Sequence, residues 1–340
     1  MVTINDVSAL AGVSRGAVSR VLSGDPSLRV SDDTRERVLA AAHELAYVPN
    51  HAARALRTSR SRSLALVVPD VTSAVFAELA RGAEEQAGIR DLTIVLARAE
   101  QLAVDSTWLQ RMVGEGRIDG VILQVPDDAP DQAIEAVVDR VPVILINSVE
   151  DGAVSSLVLD DAAGIRIALE HLQSLGHVTV GFVGGAPGSG TARRRLDGFV
   201  AGVDALSLTT RSEWISHLGY SGGDGRLAVD ALLAAGALPT ALVVANLNAA
   251  LGVLAELHAR ELRVPDDISI VALHDVWYAD ATWPPMTTVK MPLRELGSEA
   301  VSMLIDRDSV DEVERRVIRE PAPQLIVRAS TAEPAANRPS

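Results

Sequence analysis

The chain has 340 residues, of which 48% are hydrophobic, so it is long enough for two or three compact domains with sizeable cores. It contains no cysteine, which excludes disulfides, thiolate metal sites and a cysteine nucleophile. The net charge of −14 is unevenly divided: residues 1–62 hold nine arginines against six acidic residues, whereas the remainder carries −17. A basic head on an acidic body favours DNA as a partner, because phosphates attract the head and repel the body. We expect neither a signal peptide nor a membrane span, since no apolar run approaches about 20 residues.

Residues 3–22 predict two short helices joined by a turn. Apolar residues at helical spacing give the first helix one buried face: Ile4, Val7, Leu10 and Ala11. Gly12 ends this helix, and Ser14 is suited to cap the second. The second helix turns four residues away from its apolar face: Arg15, Gly16, Ser19 and Arg20. The pattern indicates a helix-turn-helix with a second helix that fits the DNA major groove, although a helical hairpin inside a larger core has the same pattern.

A third helix is predicted from residue 32 to about residue 46, capped by Ser31. Its inner face consists of Val38, Leu39, Ala42 and Leu45. The segment after it is rich in arginine, and residues 52–56 can form one short helix. Such a segment is either a solvated linker or a hinge that folds only on DNA, where phosphates neutralise its charge.

From residue 63 onwards, short apolar runs alternate with helical patterns. The predicted strands are 64–70, 92–98, 120–126, 141–147, 178–185, 212–218, 241–246 and 268–275. The predicted helices are 75–87, 106–115, 131–138, 163–175, 194–206, 223–235 and 249–259. This alternation predicts doubly wound parallel sheets. About ten strands are too many for one compact sheet, so we expect two sheets side by side, with ligands bound beyond the carboxyl ends of the strands.

The order of these motifs resembles the lactose/galactose-repressor (LacI/GalR) family of bacterial transcription regulators over residues 3–330. The marks are TINDVSALAGVSRGAVSRVL, VSDDTRERVLAAAHELAYVPN, ARAL, LDDAAG, LGH, ARRRLDGF, ANLNAALG, RVPDDISIVAL and PPMTTV. The resemblance implies an N-terminal all-α helix-turn-helix head and an α/β periplasmic-binding-protein-like body of two doubly wound parallel-sheet subdomains. It also implies a transcriptional regulator, in most members a repressor, that is cytoplasmic and nucleoid-associated and binds palindromic double-stranded DNA as a homodimer.

The resemblance also implies domain boundaries. The helix-turn-helix domain covers residues 1–46, and a hinge helix or linker covers 47–62. One effector-binding subdomain takes 63–160 with about 290–320, and the other takes 161–289 with about 321–330. Residues 331–340 are rich in proline and alanine and are expected to form a disordered tail.

Several family DNA contacts can be transferred to this chain. The base-reading positions fall on Arg15, Gly16 and Arg20, and Leu56 matches the hinge leucine that wedges into the minor groove. The wider set of DNA-binding positions adds Thr3, Ser14, Ser19, Asn50, Ala53 and Arg57. Ala46 departs from the family's usual glycine after the third helix, which leaves open a different end for this helix.

The resemblance places a small-molecule effector (a sugar, sugar acid or sugar phosphate) in the cleft between the subdomains. The implied effector-binding residues are Ser73, Phe76, Arg98, Gln124, Asn147, Arg195, Tyr220, Asn246, Leu247, His274 and Trp277. Arg195 matches the family's ligand-gripping arginine, whereas Leu247 and His274 stand where the family has aspartates. The lost carboxylates favour an anionic or partly apolar ligand over a neutral sugar. We expect its affinity to rise from pH 8 to pH 6 as His274 gains charge.

The residues do not indicate an enzyme, a cofactor or a metal site. Residues 184–191 lack the lysine that a phosphate-binding Walker A loop requires, and the first strand–helix junction lacks the G-x-G-x-x-G of nicotinamide enzymes. No nucleophile motif accompanies His274 and Asp275. Two alternatives remain open: a free-standing small-molecule-binding protein, and an effector-independent DNA-binding regulator with a degenerate ligand site.

Overall fold

In a computed structural model the chain divides into unit 1 (Met1–Ser61) and unit 2 (Arg62–Ser340). The structure describes residues 2–25, 27–48, 60–99, 107–125, 138, 140–148, 154–186, 188–236, 238–306 and 313–335. The predicted hinge helix (52–56) and nearly all of the predicted helix 131–138 lie outside these residues. Within them, no helix combines the length and the apolar character that crossing a membrane requires.

Unit 1 contains three helices: α1 (Ile4–Ala11), α2 (Arg15–Leu22) and α3 (Asp32–Glu44). Each begins at a hydroxyl residue, as Thr3 forms a capping box with Asp6, and the side chains of Ser14 and Ser31 accept backbone N–H bonds. The core is built mainly from small apolar residues: Val7, Ala11, Val18, Val21, Val38, Ala41 and Ala42.

The buried stripes of unit 1 are narrower than predicted. Leu10 is 48% exposed and Leu39 is 49% exposed, so placing them on inner faces was wrong. Each lies one residue, or about 100° of helical rotation, from a core residue (Ala11 and Val38). A short helix with only two neighbours cannot bury so wide an arc.

The end of α3 shows how the chain accommodates Ala46. Ala46 has a φ of 48°, in the left-handed region that favours glycine. Its N–H donates to the His43 carbonyl at 3.0 Å, and the Tyr47 N–H donates to the Ala42 carbonyl at 2.8 Å. This is the Schellman bonding pattern. The helix therefore ends as it would with glycine, and alanine bears the conformational cost.

We expect Ala46→Gly to stabilise unit 1 by about 1 kcal/mol, because it relieves a left-handed alanine. The matched control is Ala40→Gly, at an exposed position inside α3, which should lower stability by about 1 kcal/mol. Hydrogen exchange of the α3 amides measures both changes. Faster exchange in Ala46→Gly would contradict this prediction.

Unit 2 alternates strands and helices as predicted. Its strands are β1 (Ser63–Val68), β2 (Thr93–Arg98), β3 (Gly120–Leu123), β4 (Val143–Ile146), β5 (Ser155–Leu159), β6 (Val180–Gly184), β7 (Ile215–His217), β8 (Ala241–Val244), β9 (Ser269–Leu273), β10 (Thr287–Lys290), β11 (Arg315–Ile318) and β12 (Gln324–Ile326). Its helices are α4 (Ala74–Ile89), α5 (Thr107–Gly114), α6 (Asp161–Ser174), α7 (Gly190–Ala205), α8 (Gly222–Ala234), α9 (Leu247–Ala259) and α10 (Leu293–Ile305).

The described strands of unit 2 form two sheets of six. The first has the order β11-β5-β4-β3-β1-β2, and the second has the order β12-β10-β9-β8-β6-β7. All neighbours pair in parallel except β10 and β12, which are antiparallel. The chain passes between the sheets after β5, after β10 and after β11. The predicted fold class, a helical head followed by two doubly wound parallel sheets, is confirmed.

Two local predictions for unit 2 need correction. The predicted strand 212–218 begins as a 3₁₀ turn (Ser212–Trp214), so β7 is short. The chain is also ordered beyond residue 330: the Thr331 hydroxyl lies 2.9 Å from Nε2 of His171, and the Ala332 N–H donates to Ser269 Oγ at 3.1 Å. These bonds hold residues that composition alone assigned to a disordered tail.

Candidate functional site

In unit 1, α2 separates an apolar face from a polar one. Val18 and Val21 are buried, while Arg15 and Gly16 are exposed. Ser19 and Arg20 are partly exposed, and Thr3 and Ser14 are exposed at the helix starts. The helix thus presents two guanidinium groups outside the bundle, as a major-groove helix requires. The predicted DNA contacts Asn50, Ala53, Leu56 and Arg57 lie outside the described residues.

Arg20 does not extend freely from α2. Its Nε donates to Asp25 Oδ2 at 2.8 Å, and its Nη2 donates to Ser27 Oγ at 3.0 Å. Hydrogen bonds from Ser27, followed by the bond from Arg20, lower the pKa of Asp25 to about 2. Asp25 therefore stays charged across the physiological range.

Unit 2 contains a cavity of about 530 Å³ between its two sheets. Small-molecule sites commonly enclose about 300–1,000 Å³. Residues that follow strand ends line it from both sides, including Gln124 after β3, Asn147 after β4 and His274 after β9. Four of its lining residues are helix N-caps: Ser73 of α4, Ser189 of α7, Ser221 of α8 and Asn246 of α9. The positive ends of four helices therefore surround the cavity, and they favour electron-rich ligand groups.

Eight of the eleven predicted effector residues line this cavity: Ser73, Phe76, Gln124, Asn147, Arg195, Tyr220, Asn246 and His274. Sequence reasoning missed eight others: Pro69, Asp70, Val75, Val125, Ser189, Thr191, Ser221 and Asn248. Most of these follow a strand or open a helix. That position was the available signal, because in parallel sheets such residues meet at one edge.

The structure does not bring the other three predicted residues to the cavity. Leu247 is fully buried in the core, one residue from the Asn246 cap. Trp277 is 80% exposed and packs edge-on against Tyr278. Arg98 ends β2, an edge strand of the first sheet, and it does not line the cavity. Asn248, one residue after Leu247, faces the cavity instead.

Arg195 is held on three sides by the protein. Its Nε donates to Asp161 Oδ1 at 2.9 Å, its Nη1 donates to the Ala245 carbonyl at 2.5 Å, and its Nη2 lies 2.9 Å from His274 Nε2. Arg194 Nε donates to the other Asp161 oxygen at 2.9 Å. Two cations thus share one buried carboxylate, so this group of three side chains carries a net positive charge.

This contact fixes the protonation of His274. A guanidinium can only donate, so Nε2 must accept and the ring proton must sit on Nδ1. Burial, followed by the charge of Arg195, holds the pKa of His274 well below 6.5. The expectation that His274 gains charge between pH 8 and pH 6 is therefore wrong. Its Nδ1 is buried and has no hydrogen-bond partner among the described residues.

The lowered pKa of His274 makes the stability of unit 2 depend on pH. As the pH falls below about 6.5, the unfolded chain takes up a proton that the folded chain refuses, so stability decreases. The loss should approach about 1.4 kcal/mol per pH unit. His274→Asn should remove this slope, because asparagine tolerates the left-handed φ of 71° and its oxygen can accept from Arg195.

Urea unfolding followed by tryptophan fluorescence measures this effect, since all four tryptophans belong to unit 2. Every other titrating group, including His171 with its burial-lowered pKa, is common to both proteins, so the difference isolates His274. If the free energies of unfolding of the original protein and of His274→Asn changed in parallel from pH 7 to pH 5, the lowered pKa of His274 would be contradicted.

Comparisons with known proteins agree with both units. Residues 3–50 match the family profile "Bacterial regulatory proteins, lacI family", and residues 169–331 match "Periplasmic binding protein-like domain". The HTH-type transcriptional repressor PurR of Photobacterium profundum is 30% identical over 98% of this chain and 99% of the relative. Among the described residues, no group of side chains could hold a metal ion.

Solved structures give the same result. The lac repressor dimer bound to operator and the anti-inducer ONPF is 27% identical with a TM-score of 0.80, covering 97% of this chain and 99% of that one. The transcriptional regulator CelR–cellobiose complex is 29% identical with a TM-score of 0.70, covering 97% of this chain and 100% of that one.

Proposed function

The chain belongs to the LacI family of bacterial transcription regulators, and on that premise we propose that it binds a palindromic operator as a homodimer under the control of a ligand in its cavity. Regulators of this family bind DNA operators and small-molecule effectors, so the protein is a DNA-binding regulator and not an enzyme. The observation that carries the proposal is the outward face of α2, which presents Arg15 and Arg20 on a basic head.

We assign base reading to Arg15 and Arg20, because a guanidinium can bond bidentately to guanine O6 and N7. Gly16 between them has no side chain and admits a close approach of the backbone only. Thr3, Ser14 and Ser19 supply short polar groups suited to phosphates. Asn50, Ala53, Leu56 and Arg57 remain assigned to the hinge by resemblance.

The proposed reading predicts that Arg15→Ala weakens binding to the preferred DNA site by about 1–3 kcal/mol. Binding to random DNA should fall less, since phosphate contacts supply most of it. Arg29→Ala removes an equal charge from the turn before α3 and is the matched control. Mobility-shift assays on the preferred site and on a random duplex measure the ratio of the two affinities for each variant. Equal losses on both DNAs would remove Arg15 from the reading face.

A homodimer is proposed because the lac repressor relative is a dimer and because unit 2 exposes large apolar side chains. Trp277 is 80% exposed and Trp283 is 92% exposed, both on the loop between β9 and β10. Tryptophan is enriched at interface centres. We expect Trp283→Ser to shift the protein towards monomer in sedimentation velocity, whereas Val178→Ser, which replaces another exposed apolar residue, should not. An unchanged dimer would exclude this loop from the interface.

For the ligand we propose an anionic metabolite such as a sugar acid or sugar phosphate, in preference to a neutral sugar. Three features support this choice: four helix N-termini surround the cavity, Arg194 and Arg195 share one carboxylate, and His274 holds an unpartnered N–H donor. Each favours an electron-rich acceptor. The competing choice is a neutral sugar, which the CelR relative binds as cellobiose.

A thermal-shift panel of glucose, gluconate and glucose 6-phosphate, with related sugars and acids, tests the ligand class. We expect stabilisation by acids, with carboxylate affinity constant from pH 8 to pH 6 because His274 stays neutral. Asp70, an exposed acidic residue lining the cavity, supplies the charge test. Asp70→Asn keeps the oxygen that accepts from Thr72 but removes the charge, so it should tighten binding of an acid. Tight binding of neutral sugars alone, weakened by Asp70→Asn, would overturn the ligand class.

A further inference from the structure

The turn after α2 holds the Arg20 guanidinium by one edge. Nε and Nη2 form the side edge of the planar group, and they bond to Asp25 Oδ2 at 2.8 Å and to Ser27 Oγ at 3.0 Å. The adjacent end edge carries an N–H on Nη1 and the second N–H on Nη2, and these two N–H bonds point in parallel. Among the described residues of unit 1, no other hydrogen bond to this guanidinium is formed. The free edge has the geometry that bidentate guanine recognition uses.

Asp25 is itself a fixed acceptor. Its Oδ1 accepts from the Ser27 N–H at 2.8 Å and from the Ser27 hydroxyl at 2.7 Å. Its own N–H donates to the Arg20 carbonyl at 3.1 Å. Gly24, with a φ of 65°, allows the chain to reverse between Arg20 and Asp25. The carboxylate is therefore locked by the turn before any DNA is present.

We propose that Asp25 and Ser27 are positioning residues that hold Arg20 ready to read a guanine. This inference rests on the proposed role of Arg20 in base reading. A free arginine loses rotamer entropy when it binds a base, and the loss is large for so long a side chain. The contacts of Asp25 and Ser27 with Arg20, here called the clamp, remove part of that freedom beforehand and direct the free edge outwards. A simple salt bridge that competes with DNA for Arg20 is the opposing interpretation.

Asp25→Asn tests the clamp with little change to the turn. The asparagine oxygen can still accept from Ser27, but the group facing Arg20 Nε becomes an N–H₂ donor and cannot accept. Ser27→Ala is the second variant, because it removes the Nη2 partner while keeping the Asp25 charge. Asp32→Asn removes one exposed negative charge at the start of α3 and controls for electrostatics. Circular dichroism and hydrogen exchange check that each variant retains its helices.

The experiment uses the full chain and a DNA site obtained by selection from a randomised duplex library. Dissociation constants on every single base-pair substitution then give the preference at each position. Arg20→Ala should abolish a G·C preference of roughly 5- to 150-fold at one position of each half-site. Asp25→Asn should reduce the preference at that same position, and Ser27→Ala should reduce it less. In an Arg20→Ala background, neither Asp25→Asn nor Ser27→Ala should change the base preference further. Asp32→Asn should change the dissociation constants of all DNA sites by the same factor.

The outcomes separate this inference from the function on which it rests. If Arg20→Ala changes the preference at no base pair, Arg20 is not a reader and that part of the proposed function fails. If Arg20→Ala removes the preference while Asp25→Asn and Ser27→Ala keep it, the positioning role is overturned and DNA reading stands. Tighter binding by Asp25→Asn with the preference intact would identify the salt bridge as a competitor and also overturn the role.

Discussion

The buried carboxylate of Asp161 is the interaction on which the ligand cavity depends. It lies at the start of α6 with its side chain 1% exposed, and each oxygen accepts from a different guanidinium. A buried charge is tolerated only when it is paired and hydrogen-bonded. Because Asp161 fixes Arg195, Arg195 in turn fixes His274 as a neutral acceptor. The donors and charges beside the cavity are therefore set from behind the cavity wall, by a residue that does not line the cavity.

The fold explains why the cavity lies between the sheets and how its occupancy can be communicated. Parallel strands bring strand ends and helix starts to one edge, so two adjacent sheets surround a space with N-termini. Direct bonds also join the two sides: Asn248 Nδ2 donates to Ser73 Oγ at 3.1 Å. On the same edge, Arg194 Nη2 and the Thr191 hydroxyl donate to the Asn147 carbonyl at 3.1 and 2.9 Å. A ligand that competes for these groups acts on both halves of unit 2 at once.

The alternation of apolar runs and helical patterns was sufficient to predict the architecture of unit 2, and the family resemblance indicated eight of the sixteen residues that line the cavity. The finer geometry depends on facts outside the local pattern. Whether Leu247 or Asn248 faces the cavity follows from the residue at which α9 begins, a difference of about 100° in direction. The tautomer of His274 follows from an arginine 79 residues away in the chain. Ala46 shows a third limit, because the hydrogen bonds that close the end of α3 require a left-handed conformation that alanine normally avoids.

Arg20 on α2 and Arg195 beside the cavity are both fixed by hydrogen bonds to neighbouring groups, with different consequences for recognition. Arg20 has its Nε/Nη2 edge bonded and its Nη1/Nη2 edge left for a ligand, so fixation leaves its capacity for recognition intact. Arg195 has three of its five N–H groups engaged on different sides, and its side chain is 5% exposed. Removing it would leave Asp161 with one partner, at a cost of about 3–5 kcal/mol for a broken buried pair. Loss of ligand binding on such a change would therefore report unfolding as much as recognition. Discrimination between ligands must rest instead on groups that can change without disturbing the buried pair, such as Asp70 and the helix caps.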